Sequence, residues 1–168
     1  ARFHSMVCVT GQHREMLDNV LDIFKIETDF DLNVMKPNHT LSSLTSSILL
    51  GMSSVYEKFR PDYVLVHGDT ATTFAVSLSA YYEKIQVGHV EAGLRTGDIY
   101  SPWPEEANRK LTGALANIHF APTKKALENL AIENIKLKNV HVTGNTVIDA
   151  LYLAKNFIKN DNRLLDKF

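Results

Sequence analysis

The feature that most constrains the fold is a regular alternation of short apolar runs with longer segments of helical periodicity. In Leu41–Phe59, for example, apolar residues recur every three or four positions, and Pro61 follows as a stop signal. Repeated strand-then-helix units predict a parallel sheet, because parallel neighbours need a long crossover connection. The predicted strands are Ser5–Thr10, Tyr63–His67, Gln86–Val90, Ile118–Ala121 and Val140–Thr143.

The segments between these strands are predicted to be helices, and no internal repeat or long linker interrupts them. The 168 residues suffice for one domain with a buried core. Asp29–Met35 alternates only weakly, which leaves both a short strand and an extended connector open. The predicted helices are His13–Phe24, Leu41–Phe59, Thr70–Glu83, Glu105–Ala116, Thr123–Ile132 and Asn145–Ile158.

Composition argues against several classes of partner and compartment. A formal net charge of −1 favours neither nucleic acid nor an acidic membrane surface. No stretch reaches the ~18 apolar residues of a membrane span, and no signal-peptide pattern opens the chain. The single cysteine, Cys8, lies in an apolar run, so we expect its side chain to be buried as a small hydrophobic group. One cysteine cannot form a disulfide within the chain, and we expect a reducing, cytoplasmic compartment.

Glycine-containing turns follow four of the predicted strands, at residues 11–13, 67–69, 91–93 and 144–146. Glycine lets the backbone turn tightly, and the helix N-termini that follow present free N–H groups to an anion. The architecture therefore predicts an anionic, phosphorylated ligand. Neither G-x-G-x-x-G nor G-x-x-x-x-G-K-[ST] occurs, which argues against dinucleotide and P-loop sites.

Two acids, Asp69 and Glu91, each follow directly on an apolar run. The ends of parallel strands share one edge of a sheet, where ligands bind. For Asp69, a helix N-cap and a catalytic role are equally compatible with the position. Glu91 caps poorly in a glycine-rich turn and is costly to bury unpaired, so we predict a functional role for it.

The acids of the next helix start look structural from spacing alone. Glu105 and Glu106 follow Pro104, a residue favoured at the first helical position, and the helix dipole stabilises acids there. Arg109 and Lys110 lie one turn further on, as i,i+4 partners.

Basic side chains near the strand ends are candidate ligand contacts. His13, His67 and His89 show no H-E-x-x-H pattern, so we predict hydrogen-bonding roles and no metal site. Arg95 is a candidate phosphate or carboxylate partner, with an exposed loop cation as the alternative. We assign no chemistry to Trp103.

Longer motifs carry a resemblance to a known family over essentially the whole chain. Together they closely resemble the bacterial non-hydrolysing UDP-N-acetylglucosamine 2-epimerases. The matching segments are Thr10–Leu17, Val64–Thr70, Val87–Gly97, Ser101–Arg109 and His141–Asp149.

The resemblance implies a reversible interconversion of UDP-N-acetylglucosamine and UDP-N-acetylmannosamine without a cofactor. In this family the C2 proton is removed and UDP is eliminated to leave a bound 2-acetamidoglucal. UDP then adds back while C2 is protonated on the opposite face. Asp69, Glu91 and Glu105 match the family's catalytic carboxylates, and Arg109 matches an active-site arginine. Gln12, His13, His67, Arg95 and Asn145 are the expected substrate-binding residues.

The resemblance also implies an architecture: an α/β, Rossmann-like parallel sheet with helices on both faces, one half of a GT-B type two-domain enzyme. We expect residues 1–158 to be a partial N-terminal domain without its first strand, and residues 159–168 a polar tail. We also expect the C-terminal UDP-binding domain of the family to be missing from these residues and the piece to be inactive alone. The parent enzyme is expected to be a cytoplasmic homodimer serving surface polysaccharide synthesis, with no nucleic-acid or membrane partner.

Two other functions remain open at this point. One is a sugar-nucleotide binding half-domain without catalysis. The other is a hydrolysing relative that releases N-acetylmannosamine and UDP. Gln12 and Glu105 also resemble residues near a second, regulatory sugar-nucleotide site of bacterial members.

Overall fold

The computed structural model describes residues 3–35 and 39–160. The chain divides into two compact units, a first unit of Ala1–Met35 with Thr146–Phe168 and a second unit of Lys36–Asn145. Residues 161–168 of the predicted polar tail lie outside the described residues.

The described residues form strands and helices close to the predicted bounds. The strands are β1 (Cys8–Val9), β2 (Phe30–Asp31), β3 (Tyr63–His67), β4 (Gln86–Val90), β5 (Ile118–Ala121) and β6 (Val140–Val142). The helices are α1 (Arg14–Phe24), α2 (Leu41–Lys58), α3 (Ala71–Tyr82), α4 (Glu105–Leu115), α5 (Lys124–Ile132) and α6 (Thr146–Asn160). In the described part of the chain, none of these helices is long and apolar enough to cross a membrane.

The first unit contains β1, β2, α1 and α6. β1 pairs in parallel with β2, which resolves Asp29–Met35 as a segment that contains a short strand. The rings of Phe24 and Phe157 meet edge to face at a centroid distance of 5.8 Å, joining α1 to α6. Cys8 is half-buried in β1, and burial, with a smaller effect of Asp31, raises the pKa of its thiol to about 11. The thiol is therefore protonated at neutral pH, as expected of a hydrophobe rather than a nucleophile.

The second unit contains a four-stranded parallel sheet in the order β3-β4-β5-β6. His67 pairs with Val90, and Val90 pairs with Phe120, so the carboxyl ends of three strands lie side by side. This parallel sheet with its connecting helices is an α/β, Rossmann-like arrangement and confirms the predicted fold class. It also places the predicted acidic positions at one sheet edge.

Helix α3 is the central packing element of the second unit, since it contacts β3, β4, α2 and α4. Its buried face consists of small residues, among them Ala75, Ser77 and Ala80, which are fully buried. Small side chains allow the helix backbone to approach its neighbours closely, as the sequence pattern predicted. Helix α3, which begins directly after the turn at the end of β3, is therefore packed closely on the sheet.

Candidate functional site

The turn after β3 presents Asp69 without using it as a helix cap. Thr70 is the N-cap of α3, and its side chain accepts a hydrogen bond from the Thr73 N–H at 3.3 Å. The Thr73 hydroxyl donates to the His67 carbonyl at 2.6 Å, which ties the helix start to the strand end. The N-cap interpretation of Asp69 is therefore wrong, because the neighbouring threonine fills that role.

A buried histidine supports this turn from the next strand. His89 is 1% exposed, and its Nε2 lies 2.7 Å from the Gly68 carbonyl oxygen. A carbonyl only accepts hydrogen bonds, so Nε2 carries the proton and donates. Burial lowers the pKa of His89 to about 4, which keeps the imidazole neutral at pH 7. The predicted hydrogen-bonding role is confirmed for His89.

Glu91, the residue after β4, holds a strained backbone conformation. Its φ of 67° lies in the left-handed region, which costs a non-glycine residue on the order of 1 kcal/mol or more. The Glu91 carboxylate lies over the turn after β3, since a Cβ at Gly68 would sit 3.5 Å from Glu91 Oε2. Strain of this kind clusters at functional sites. The structure thus brings Glu91 next to the turn that bears Asp69.

Helix α4 reaches the same turn through two hydrogen bonds to Asp69. The Asn108 side-chain amide donates to the Asp69 carbonyl at 2.9 Å. The Arg109 guanidinium donates to the Asp69 carboxylate at 2.6 Å, and the arginine side chain is 12% exposed. A charge-assisted bond in a mostly dehydrated position fixes the carboxylate strongly. Asp69 and Arg109, two predicted catalytic residues, are therefore direct partners.

The predicted i,i+4 ion pairs at the start of α4 are wrong. Arg109 pairs with Glu106 at 3.3 Å, one residue closer in sequence than Glu105. Lys110 lies 3.7 Å from Glu133, on the segment after α5, rather than beside Glu106. The reason is that Glu106 faces the interior, where Arg109 is also directed, and Lys110 lies on another face.

Glu106 is a site residue that the sequence did not single out. Its side chain is fully buried and accepts from the backbone N–H groups of Thr96 and Gly97 at 3.2 and 3.3 Å. With Arg109 it therefore has three donors, which offset the cost of burying a charge. Adjacent residues of a helix face different directions, so one of the two neighbouring acids is expected to face inward. This was the sequence signal that could have identified a buried acid here.

Glu105 occupies the first position of α4, after Pro104 as N-cap. Its side chain is half-buried, and nothing in residues 3–35 or 39–160 forms a hydrogen bond or ion pair with its carboxylate. The carboxylate is therefore available to a ligand. Within the same described ranges, no group of three or more His, Cys, Asp or Glu side chains is placed to hold a metal ion.

Arg95 is not an exposed loop cation. Its guanidinium makes two hydrogen bonds to the Glu133 carboxylate, at 2.8 and 2.7 Å, and its side chain is 8% exposed. The hydrogen bond from Arg95 lowers the pKa of Glu133, with Lys110 contributing less. The loop after β4 is thus anchored to the end of α5, and substrate binding by Arg95 stays a prediction.

The other predicted substrate-binding residues lie at strand ends in both units. His67 is exposed at the end of β3, and Asn145 is exposed after β6, both in the second unit. Gln12 and His13 follow β1 in the first unit. His13 precedes α1 and makes no side-chain capping bond. These positions agree with the expected turns, and their binding roles remain predictions.

The second unit thus brings Asp69 and Glu91 to one sheet edge, and α4, which begins at Glu105, contacts the same turn through Asn108 and Arg109. Asp69 is fixed by a guanidinium, Glu91 is held by a strained backbone, and Glu105 has no protein partner in the described residues. The helix N-termini of α3 and α4 meet the same edge and favour negative charge. Such a site is equipped to move protons and to hold an anionic substrate.

Comparison with known proteins shows the family to which this chain is similar. A family model described as UDP-N-acetylglucosamine 2-epimerase matches residues 1–167. The chain is 61% identical over 158 residues to a probable UDP-N-acetylglucosamine 2-epimerase of Ralstonia nicotianae, covering 94% of this chain and 42% of that protein. It is 56% identical over 162 residues to the UDP-N-acetylglucosamine 2-epimerase of Escherichia coli K12, covering 96% and 43%.

Solved structures of relatives share the fold. The Neisseria meningitidis UDP-GlcNAc 2-epimerase bound to UDP-GlcNAc gives a TM-score of 0.90 at 57% identity, covering 94% of this chain and 43% of that one. The Methanocaldococcus jannaschii enzyme in complex with UDP-GlcNAc and UDP gives 0.88 at 33% identity, covering 97% and 45%. The chain therefore spans less than half the length of the relatives it matches.

Proposed function

Since this chain belongs to the UDP-N-acetylglucosamine 2-epimerase family, we propose that the full-length protein interconverts UDP-N-acetylglucosamine and UDP-N-acetylmannosamine. The observation that supports this most strongly is that Asp69, Glu91 and the start of α4 meet at the same edge of the sheet. An arginine-bound carboxylate lies there beside a strained glutamate. Simple packing gives no reason to place a glutamate in the left-handed region next to a second acid.

The proposed reaction needs one proton to leave C2 and another to return on the opposite face. A carboxylate takes the C2 proton, the bond between C1 and the diphosphate oxygen breaks, and the electron pair forms the C1–C2 double bond of 2-acetamidoglucal. UDP then adds back at C1 while a carboxylic acid protonates C2. Inversion requires proton-transfer groups on both faces. Asp69, Glu91 and Glu105 are the candidates, and Arg109 orients Asp69.

The anionic part of the substrate has candidate partners at the same edge. The N-termini of α3 and α4 favour negative charge, and the exposed His67 lies at the end of β3. We propose that UDP-N-acetylglucosamine or UDP is the ligand, as named for the solved relatives from Neisseria and Methanocaldococcus. Gln12, His13, Arg95 and Asn145 are proposed as further contacts.

Catalysis is proposed for the full-length protein only. The relatives are more than twice as long as the matched segment, so a large part of their structure has no counterpart here. We therefore propose that the 168 residues alone are inactive. A homodimeric, cytoplasmic enzyme supplying a surface polysaccharide is the biological setting we propose for it.

Incubation of the full-length protein with UDP-N-acetylglucosamine in D2O tests the function directly. Proton NMR should show UDP-N-acetylmannosamine appearing and deuterium entering C2 of both sugar nucleotides. Free N-acetylmannosamine with UDP would instead indicate the hydrolysing reaction. Heat of binding by calorimetry without any C2 deuterium would indicate a non-catalytic binding protein, and either result would contradict the proposal.

A further inference from the structure

The side chain of Glu106 connects the loop after β4 to Arg109 of α4, and Arg109 in turn binds Asp69 after β3. Its two carboxylate oxygens accept hydrogen bonds from the backbone N–H groups of Thr96 and Gly97, which lie in the loop that begins at Glu91. One of these oxygens also pairs with Arg109, which holds Asp69. A continuous set of contacts therefore connects the loop after β4 with Asp69, through Glu106 and then Arg109.

We propose that Glu106 is a positioning residue of this site, which acts on Asp69 through Arg109 and on the adjacent loop through Thr96 and Gly97. This inference rests on the proposed function. A guanidinium free to swing would lose the 2.6 Å bond to Asp69, whereas a second carboxylate on Nη1 restricts it to one orientation. Misplacement of a reacting group by about 1 Å costs on the order of 100-fold in rate.

The direction of Glu106 also determines where Glu105 can point. Successive residues of an α-helix are rotated by about 100°, so neighbouring side chains occupy different faces. With Glu106 fully buried and held by three donors, Glu105 is left half-buried and without a protein partner in the described residues. Fixing one acid inward thus leaves the other free for a ligand.

Two conservative variants distinguish a positioning role of Glu106 from a purely structural one. Glu106→Gln keeps the side-chain volume but replaces one acceptor oxygen by a donor NH2 that faces donors. Glu106→Asp keeps the charge but removes a methylene and shortens the reach. Loss of packing would harm the Asp variant more, whereas loss of charge-based positioning harms the Gln variant more.

The test compares both variants in the full-length protein with the control Glu83→Gln, which removes a carboxylate paired with Arg60 on the surface. We expect Glu106→Gln to lower kcat by about 10- to 100-fold with KM changed less than about 3-fold, and Glu106→Asp to lose less. The control should retain wild-type kcat.

Urea unfolding with circular dichroism establishes that each variant is folded. If Glu106→Gln yields no folded protein, Glu106→Asp decides, and its kcat must fall with KM unchanged. Wild-type kcat in the Gln variant, or a larger loss in the Asp variant than in the Gln variant, would overturn the inference. An inactive wild-type protein would refute the proposed function instead, so the two failures are distinguishable.

Discussion

Arg109 holds two carboxylates at once: its Nη2 lies 2.6 Å from Asp69 Oδ2, and its Nη1 lies 3.3 Å from Glu106 Oε2. The guanidinium is mostly buried, so both interactions act at reduced dielectric and are stronger than in water. The pairing explains how an acid at the end of a strand is held in one orientation. The same side chain also compensates the buried carboxylate of Glu106.

Replacement of Arg109 should harm both activity and stability. An ammonium group cannot span two carboxylates in a fork, so Arg109→Lys is expected to lower kcat by about 100-fold. Arg109→Met leaves the buried Glu106 charge uncompensated and should cost about 3–5 kcal/mol of unfolding free energy, measured in urea. Arg60→Lys, at an exposed ion pair, is the control and should change neither quantity measurably.

Replacing Glu91 by glycine should relieve the backbone strain and change the stability and the activity of the protein in different directions. Glu91→Gly suits a φ of 67°, so the free energy of unfolding should stay unchanged or rise by up to about 1 kcal/mol. The same variant should lose C2 exchange because the carboxylate is gone. Glu91→Gln, which keeps the strain, serves as the matched comparison. A Gly variant both less stable than wild type and fully active would contradict this account.

Close backbone packing at Gly93 predicts a strong effect of adding one methyl group. A Cβ there would overlap the carbonyl oxygen of Ala126 in α5, and the residue has a φ of 90°. Gly93→Ala should therefore lower the free energy of unfolding by more than about 2 kcal/mol. Gly97 has the same φ with nothing within 4 Å of the added Cβ, so Gly97→Ala isolates the conformational cost. Equal losses in the two variants would refute the packing argument.

Burial of His89 predicts acid sensitivity. Its pKa falls from 6.5 to about 4 in the folded protein, so the unfolded chain binds the proton more readily between these values. The stability it confers is present above pH 6.5 and is lost as the pH falls towards 4, by roughly 3 kcal/mol. Burial lowers the pKa of His119 in the same direction. Urea unfolding of wild type and His89→Gln from pH 7 to 4 should show a smaller slope for the variant; identical slopes would contradict the assignment.

The sheet, its parallel direction and the helix positions could be predicted because hydrophobic periodicity is a local property of the sequence. α1 and α3, for instance, lie within one residue of the predicted bounds at each end. The predicted first strand, Ser5–Thr10, is longer than the two residues of β1. Pairing with β2 is limited to Cys8 and Val9, so the flanking residues fall outside the ladder.

The chemistry of the site could be predicted only in part, since it depends on partners distant in sequence. Asp69 precedes Thr70, which is also a favoured N-cap residue, and only the structure shows which of them caps α3. The partner of Arg95 is Glu133, 38 residues away, which no local pattern indicates. Likewise, which of Glu105 and Glu106 faces the interior depends on the exact start of α4.

The most direct test of the central claim is C2 deuterium exchange by full-length Asp69→Asn, Glu91→Gln and Glu105→Gln proteins in D2O. Each substitution removes one carboxylate of the proposed proton-transfer edge, so each should lower exchange by at least about 100-fold. Asp62→Asn, an exposed acid before β3, should retain the wild-type rate. Exchange within about 2-fold of wild type in all three variants would contradict the claim that this edge carries the chemistry.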